Sequence, residues 1–208
     1  MKHLVQIAIS LSLLFTIPAF AGGDAAAGQG KSAVCAACHG ADGNSAVPMW
    51  PKLAGQNATY LKRQLSLIKD GSRSVPEMAG IVMGLSEQDM ADLAAWFSSQ
   101  TSSPASADES SLAVGERLYL AGNPDTDVPA CMACHGPAGS GIPLSGYPAV
   151  AGQHSTYTEK MLKGFRAGTT WGEDDENSMI MVGVTNRLTD AQIKAVAGYM
   201  QGLHTASE

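Results

Sequence analysis

The segments "VCAACHG" at 34–40 and "ACMACHG" at 130–136 hold all four cysteines of the 208-residue chain and two of its five histidines. Two copies of Cys-x-x-Cys-His do not stand alone. The stretch "PKLAGQNATYLKRQLSLIKDG" at 51–71 aligns without a gap with "PAVAGQHSTYTEKMLKGFRAG" at 148–168, sharing Pro, Ala-Gly-Gln, Thr-Tyr, Leu and the closing Gly. Each repeat follows its own cysteine motif, so the chain reads as a tandem duplication of a unit near 90 residues. The duplication is also a test: a residue with a duty in one copy should have an equivalent in the other.

The segment between the copies, "SSQTSSPASADESS" at 98–111, is polar and has no apolar periodicity, which reads as a linker. At the start, "MKHLVQIAISLSLLFTIPAFA" has one early lysine, an apolar middle and small residues before "GGD", the pattern of a secretory signal cleaved after Ala21. The expected organisation is therefore a leader at 1–21, an N-terminal unit at 22–100, a linker at 101–111 and a C-terminal unit at 112–208. Removing Lys2 from the 13 Lys+Arg leaves 12 against 19 Asp+Glu, a net charge of −7. Most of the excess lies in the second half, and no basic stripe suggests nucleic acid.

The periodicity is helical. A helix is expected to lead into each cysteine motif, across "AAAGQGKSAVCAACHG" and "LAVGERLYLAG". Tyr60, Leu61, Gln64, Leu65 and Ile68 predict a middle helix, as do Tyr157, Met161, Leu162 and Phe165 in the second copy. "LSEQDMADLAAWFSSQ" and "LTDAQIKAVAGYMQGL" close the units, with Ser86/Asp89 and Thr189/Gln192 placed to cap their first turns. No stretch alternates long enough to be a strand, and glycine- and proline-rich loops fill the rest. Three short helices bury little apolar surface, so each unit calls for a second core component.

Cys-x-x-Cys-His in an exported chain has four readings: covalent haem, a zinc half-site, a redox dithiol or a disulfide. A disulfide leaves the histidine unexplained. A thioredoxin-like pair needs a βαβ context that neither copy has. Zinc held by Cys35, Cys38, Cys131 and Cys134 has acceptable ligand chemistry, but it would tie together units that otherwise look self-contained. Haem attachment explains the whole motif: two thiols fix the vinyl positions and the adjacent histidine reaches the iron. His39 and His135 are then the proximal ligands.

The other axial position decides between substrate chemistry and electron transfer. His154 aligns with Asn57, and His204 has no counterpart, so both are expected at the surface. Met78 lies seven residues before Leu85, and Met181 seven before Leu188, at equivalent places relative to the closing helices. Met83 aligns with Asn186 and Met179 with Pro76, so neither has a thioether partner. Met78 and Met181 are the expected distal ligands. A carbonyl at or near Pro51 and Pro148 is expected to accept the proximal imidazole's Nδ1 proton. Trp50 and Tyr147 either line the pocket or fill core, and Tyr60 and Tyr157 either face a propionate or are structural.

The motifs, together with the paired "AGQ…TY" segments, resemble the two halves of the cytochrome c4 family, and the likeness covers essentially the whole chain after the leader. The resemblance implies an all-α fold, a tandem duplication of two small class I cytochrome c domains, each around a covalently bound haem. It implies two haem c groups on Cys35, Cys38, Cys131 and Cys134, with iron held by His39, Met78, His135 and Met181. It also implies a periplasmic carrier of single electrons between a cytochrome bc-type complex and a terminal oxidase, not an enzyme, in some members loosely attached to the membrane face. Two departures from the family pattern, "GSRSVPE" at 71–77 and Ala-Val at 149–150, are expected to alter a surface loop and local packing. The alternatives are a haem subunit of a larger redox complex, or a dihaem enzyme such as a peroxidase. An enzyme would need one distal ligand absent or labile, and the matched methionines speak against that.

Overall fold

The computed structural model describes residues 22–103, 105–107 and 109–204. The leader expected at 1–21 lies outside the described residues. The chain forms two helical clusters. The first contains α1 (Ala25–Lys31), α2 (Ala33–His39), α3 (Ala58–Lys69), α4 (Pro76–Val82) and α5 (Glu87–Ser98). The second contains α6 (Leu112–Ala121), α7 (Met132–His135), α8 (Ser155–Arg166), α9 (Glu176–Thr185) and α10 (Asp190–Gly202). Among the described residues, β structure is limited to isolated bridges at Asn123/Val128 and Ile142/Tyr147, so the all-α expectation holds.

Local chemistry explains the helix ends. Asp24 Oδ1 accepts from the amides of Ala26 and Ala27, starting α1. The capping boxes expected at Ser86/Asp89 and Thr189/Gln192 are both formed. The single helix expected to lead into the first cysteine motif is instead two, broken at Ser32. The Ser32 hydroxyl donates to the Gln29 carbonyl at 2.9 Å, a local bond that competes with the helical ladder. Two helices were not expected at all: α4 and α9, which carry Met78 and Met181. Each contains a glycine, and α9 leaves Met179 and Ile180 exposed, which blurs the 3.6-residue pattern.

Each cluster is organised by a crossing of its first and last helices, α1 on α5 and α6 on α10. The crossing requires glycine. A Cβ added at Gly28 would sit 2.0 Å from the Asp92 carbonyl oxygen, and one at Gly115 would sit 2.3 Å from that of Ala195. Trp96 and Tyr199 flank the two contacts. Asp92 further ties α1 to α5: it accepts from the Asp24 amide at 2.9 Å and pairs with Lys31 at 2.6 Å. The buried cores are small and separate. One is built on Leu61, Leu93, Ala94 and Phe97; the other is larger and includes Tyr119, Ile193, Val196 and Met200.

Candidate haem centres

Both cysteine motifs open onto one continuous, largely apolar cavity of about 740 Å³, shared by the two clusters. From the first cluster Cys35, Cys38, His39 and Met78 line it; from the second, Cys131, Cys134, His135 and Met181. Of the four methionines weighed from the sequence, Met78 and Met181 reach the cavity; Met49, Met161 and Met200 line it as well. Met78 and Met181 are half-buried against the cavity, whereas Met83 and Met179 are 63% and 51% exposed and do not line it. Trp50 and Tyr147 also face the cavity.

The histidines are held as a proximal ligand requires. His39 Nδ1 donates to the Pro51 carbonyl at 2.8 Å, and His135 Nδ1 donates to that of Pro148 at 2.9 Å. Each bond fixes the tautomer that leaves an Nε2 lone pair for a metal. Burial favours the neutral ring and pulls both imidazoles below their usual pKa, against the opposing pull of the proline carbonyl. Burial pushes Cys35 upward and Cys131 up to about 11, whereas a reactive dithiol needs a lowered value. The zinc alternative also fails, since among the described residues no three His, Cys, Asp or Glu side chains gather into a metal site.

The donor set fits haem. The cavity walls are mostly apolar, and several of their polar side chains bond across the two clusters. Arg73 donates to Gln64 Oε1 at 2.6 Å and to the Tyr157 hydroxyl at 2.9 Å, with its guanidinium 4.6 Å from the Trp171 ring centre. Arg63 pairs with the buried Asp175 at 2.9 Å. Arg63 Nη1 and Gln64 Nε2 are buried without a hydrogen-bond partner among the described residues, donors that the carboxylates of a haem edge would satisfy. The compact loop after Gly71 thus carries more than a surface change: its Arg73 is the cation between the two halves of the cavity.

Sequence reasoning missed the interface residues. His204 is exposed as expected, but His154 is half-buried and its Nε2 donates to the Ser45 carbonyl of the other cluster at 2.7 Å. Asn57, its counterpart, donates to the Tyr147 carbonyl at 3.0 Å. Gln56 and Gln153, the glutamines of the two Ala-Gly-Gln segments, likewise reach across. Gln56 bonds both backbone groups of Ala149, and Gln153 both of Lys52. The matched "AGQ" was the available signal, but it read as a mark of duplication.

Comparison with known proteins agrees with this geometry. The protein family described as cytochrome c matches residues 25–101 and again 112–204. The chain is similar to cytochrome c4 of Pseudomonas aeruginosa, with 49% identity over 203 residues that cover 98% of this chain and 99% of that one. It is 37% identical over 169 residues to a thiosulfate dehydrogenase electron acceptor of Stutzerimonas stutzeri, covering 79% of this chain and 76% of the relative. The crystal structure of reduced recombinant cytochrome c4 from Pseudomonas stutzeri superposes with a TM-score of 0.83 at 48% identity, covering 88% of this chain and 100% of that one. With no helix among the described residues long and apolar enough to cross a membrane, two matched cysteine motifs on a shared apolar cavity and relatives alike along nearly their whole length, the chain belongs to the cytochrome c4 family, dihaem periplasmic proteins that carry electrons and are not enzymes.

Proposed function

We propose that residues 22–100 and 112–208 are two cytochrome domains joined by a linker at 101–111, each holding one covalent haem c. Cys35 and Cys38 form the thioethers of the first and Cys131 and Cys134 those of the second. His39 and Met78 would hold one iron, and His135 and Met181 the other. The observation that carries this reading is the convergence of each cysteine pair, its histidine and the repeat-matched methionine on one apolar cavity. When bound, haem supplies a one-electron Fe(III)/Fe(II) couple.

The chain's own residues set the conditions for that couple. Iron held by a histidine and a thioether would be closed to substrate and would favour a high potential. The carbonyls of Pro51 and Pro148 fix each imidazole. The apolar walls exclude water, while Arg63 and Arg73 offset negative charge where the domains meet. Electrons enter from a cytochrome bc-type complex and leave to a terminal oxidase. A second donor is favoured by the 37% identity to a thiosulfate dehydrogenase electron acceptor, namely an enzyme that oxidises thiosulfate. The test is haem content per chain with near-infrared spectra of the oxidised protein. Two low-spin haems, each with a sulfur-to-iron charge-transfer band, are expected, and Met78→Ala and Met181→Ala should each remove one band. One haem, or a band that survives both substitutions, overturns the ligand assignment. Stopped-flow reduction by each donor then ranks the two partners.

A further inference from the structure

Each proximal histidine is bonded to a peptide group whose other end is gripped by the opposite domain. His39 Nδ1 donates to the carbonyl of the Pro51–Lys52 peptide at 2.8 Å. The N–H of that same peptide donates to Gln153 Oε1 at 2.9 Å. The mirror arrangement repeats: His135 Nδ1 donates to the carbonyl of the Pro148–Ala149 peptide at 2.9 Å, and its N–H donates to Gln56 Oε1 at 2.8 Å. Each glutamine closes the grip by donating from Nε2 to the carbonyl of Lys52 (3.0 Å) or Ala149 (2.8 Å). Each Oε1 also takes the amide of the following residue, Asn57 or His154. Lys52 and Gln56 are both 7% exposed, so water does not readily substitute.

We infer that Gln56 and Gln153 are positioning residues that tune the opposite domain's haem, Gln153 acting through His39 and Gln56 acting through His135. This rests on the two histidines being iron ligands. Hydrogen bonds in series polarise one another. A peptide whose N–H is bonded is a better acceptor at its carbonyl, which draws more on the imidazole Nδ1 proton and makes the ring a stronger donor to iron. A stronger donor favours the ferric state. Loss of a glutamine therefore raises the midpoint potential of the haem it does not share a domain with. It also frees the plane of that peptide to tilt, which loosens the histidine in the same direction.

The test uses the complete haem-loaded protein. Gln153→Met and Gln56→Met keep side-chain volume and remove both hydrogen bonds to the opposite domain, together with the one from the following amide. Redox titration followed by NMR, with the haem signals assigned to their domains, reads each potential separately. Gln153→Met is expected to shift the reduction equilibrium of the N-terminal haem about threefold, about 28 mV at 59 mV per tenfold, with a smaller change at the C-terminal haem. Gln56→Met gives the reverse. A mere domain clasp would move both haems alike or neither, and either of those patterns, or a larger shift in the variant's own domain, overturns the inference. Should a methionine variant fail to load both haems, Gln153→Glu and Gln56→Glu keep the acceptor oxygen and strengthen it, so the crosswise shift is expected downward. A uniform shift in those variants is equally fatal. Haem content and the sulfur-to-iron bands of the unsubstituted protein are read first. Their failure defeats the ligand assignment and this inference together, whereas intact bands without a crosswise shift defeat this inference alone.

Discussion

Gly28→Ala should destabilise the N-terminal cluster although alanine is the better helix former. The new Cβ would lie 2.0 Å from the Asp92 carbonyl oxygen and 2.9 Å from Trp96 Cβ, where ordinary contact begins at 3.4 Å. The obstacle is backbone, so it cannot rotate away, and α1 must move about 1.4 Å off α5. A gap of 0.5–1 Å already forfeits roughly a quarter to a half of each dispersion contact. The same movement stretches the Asp24–Asp92 and Lys31–Asp92 bonds. Overpacking of this kind costs about 3 kcal/mol at the upper end of its range, and the propensity gain returns about 0.5–1 kcal/mol. The net loss is about 2 kcal/mol, or about 8–16 °C in the melting of a domain this small. Gly30→Ala is the internal control. It lies in the same helix with nothing within 4 Å of its added Cβ, so it should leave stability unchanged or raise it by up to about 1 kcal/mol. Thermal unfolding of the haem-loaded protein by far-UV circular dichroism reads both. If the two substitutions shift the transition in the same direction, or Gly28→Ala leaves it in place, the crossing does not depend on glycine and the reasoning is wrong.

Three further outcomes are expected. Asp92 is held down to about 2, first by its bond to Lys31 and then by those from the Asp24 amide and Gln88. A depressed carboxylate contributes stability above its unfolded value of about 3.9 and loses it as pH falls toward the folded value; unfolding midpoints from pH 5 to 2 should therefore drop more steeply in the parent than in Asp92→Asn. Arg73→Gln removes the half-buried cation shared by Gln64, Tyr157 and the Trp171 face. Both midpoint potentials should fall, since that charge favours the less positive reduced irons, and potentials unchanged in a redox titration would count against the assignment. His154→Ala gives up the bond to the Ser45 carbonyl; a loss of about 0.5–1.5 kcal/mol in urea unfolding is expected, and no loss would mean that water replaces the imidazole.

Much of the fold and the site could be read before any coordinates, for a physical reason. Covalent attachment requires two thiols and a histidine at fixed spacing, and a capped helix announces its first turn in side-chain chemistry. Met78 and Met181 were singled out by their distance from those caps, with no help from their own helices. Those helices were illegible because α4 and α9 are short, contain glycine and leave apolar residues exposed; their order comes from packing on α3 and α8, which no local pattern encodes. The break at Ser32 was hidden for a related reason: a serine inside a helical pattern is tolerated or disruptive according to which carbonyl its hydroxyl meets.

The interface was missed through an ambiguity in the duplication test itself. Residues matched between the copies were read as marks of duplication, or as candidates to serve the haem expected in each copy. An interface related by a pseudo-twofold axis makes the same demand, because residue i meets j while the equivalent of i meets the equivalent of j. Gln56 on Ala149 and Gln153 on Lys52 form such a pair, and Asn57 and His154 satisfy it with different side chains. The second pair separates the two causes. A ligand to iron must keep its chemistry, whereas a donor to a backbone carbonyl can be an amide or an imidazole. Identity across the repeat therefore marks residues whose atoms are specified twice, and Gln56 and Gln153 are specified twice: each accepts from the N–H of the peptide whose carbonyl bonds the opposite histidine and donates to the carbonyl of the next peptide. Arg73 lies outside this logic, since it aligns with Thr170; the first copy supplies at this place a cation that the second copy does not match.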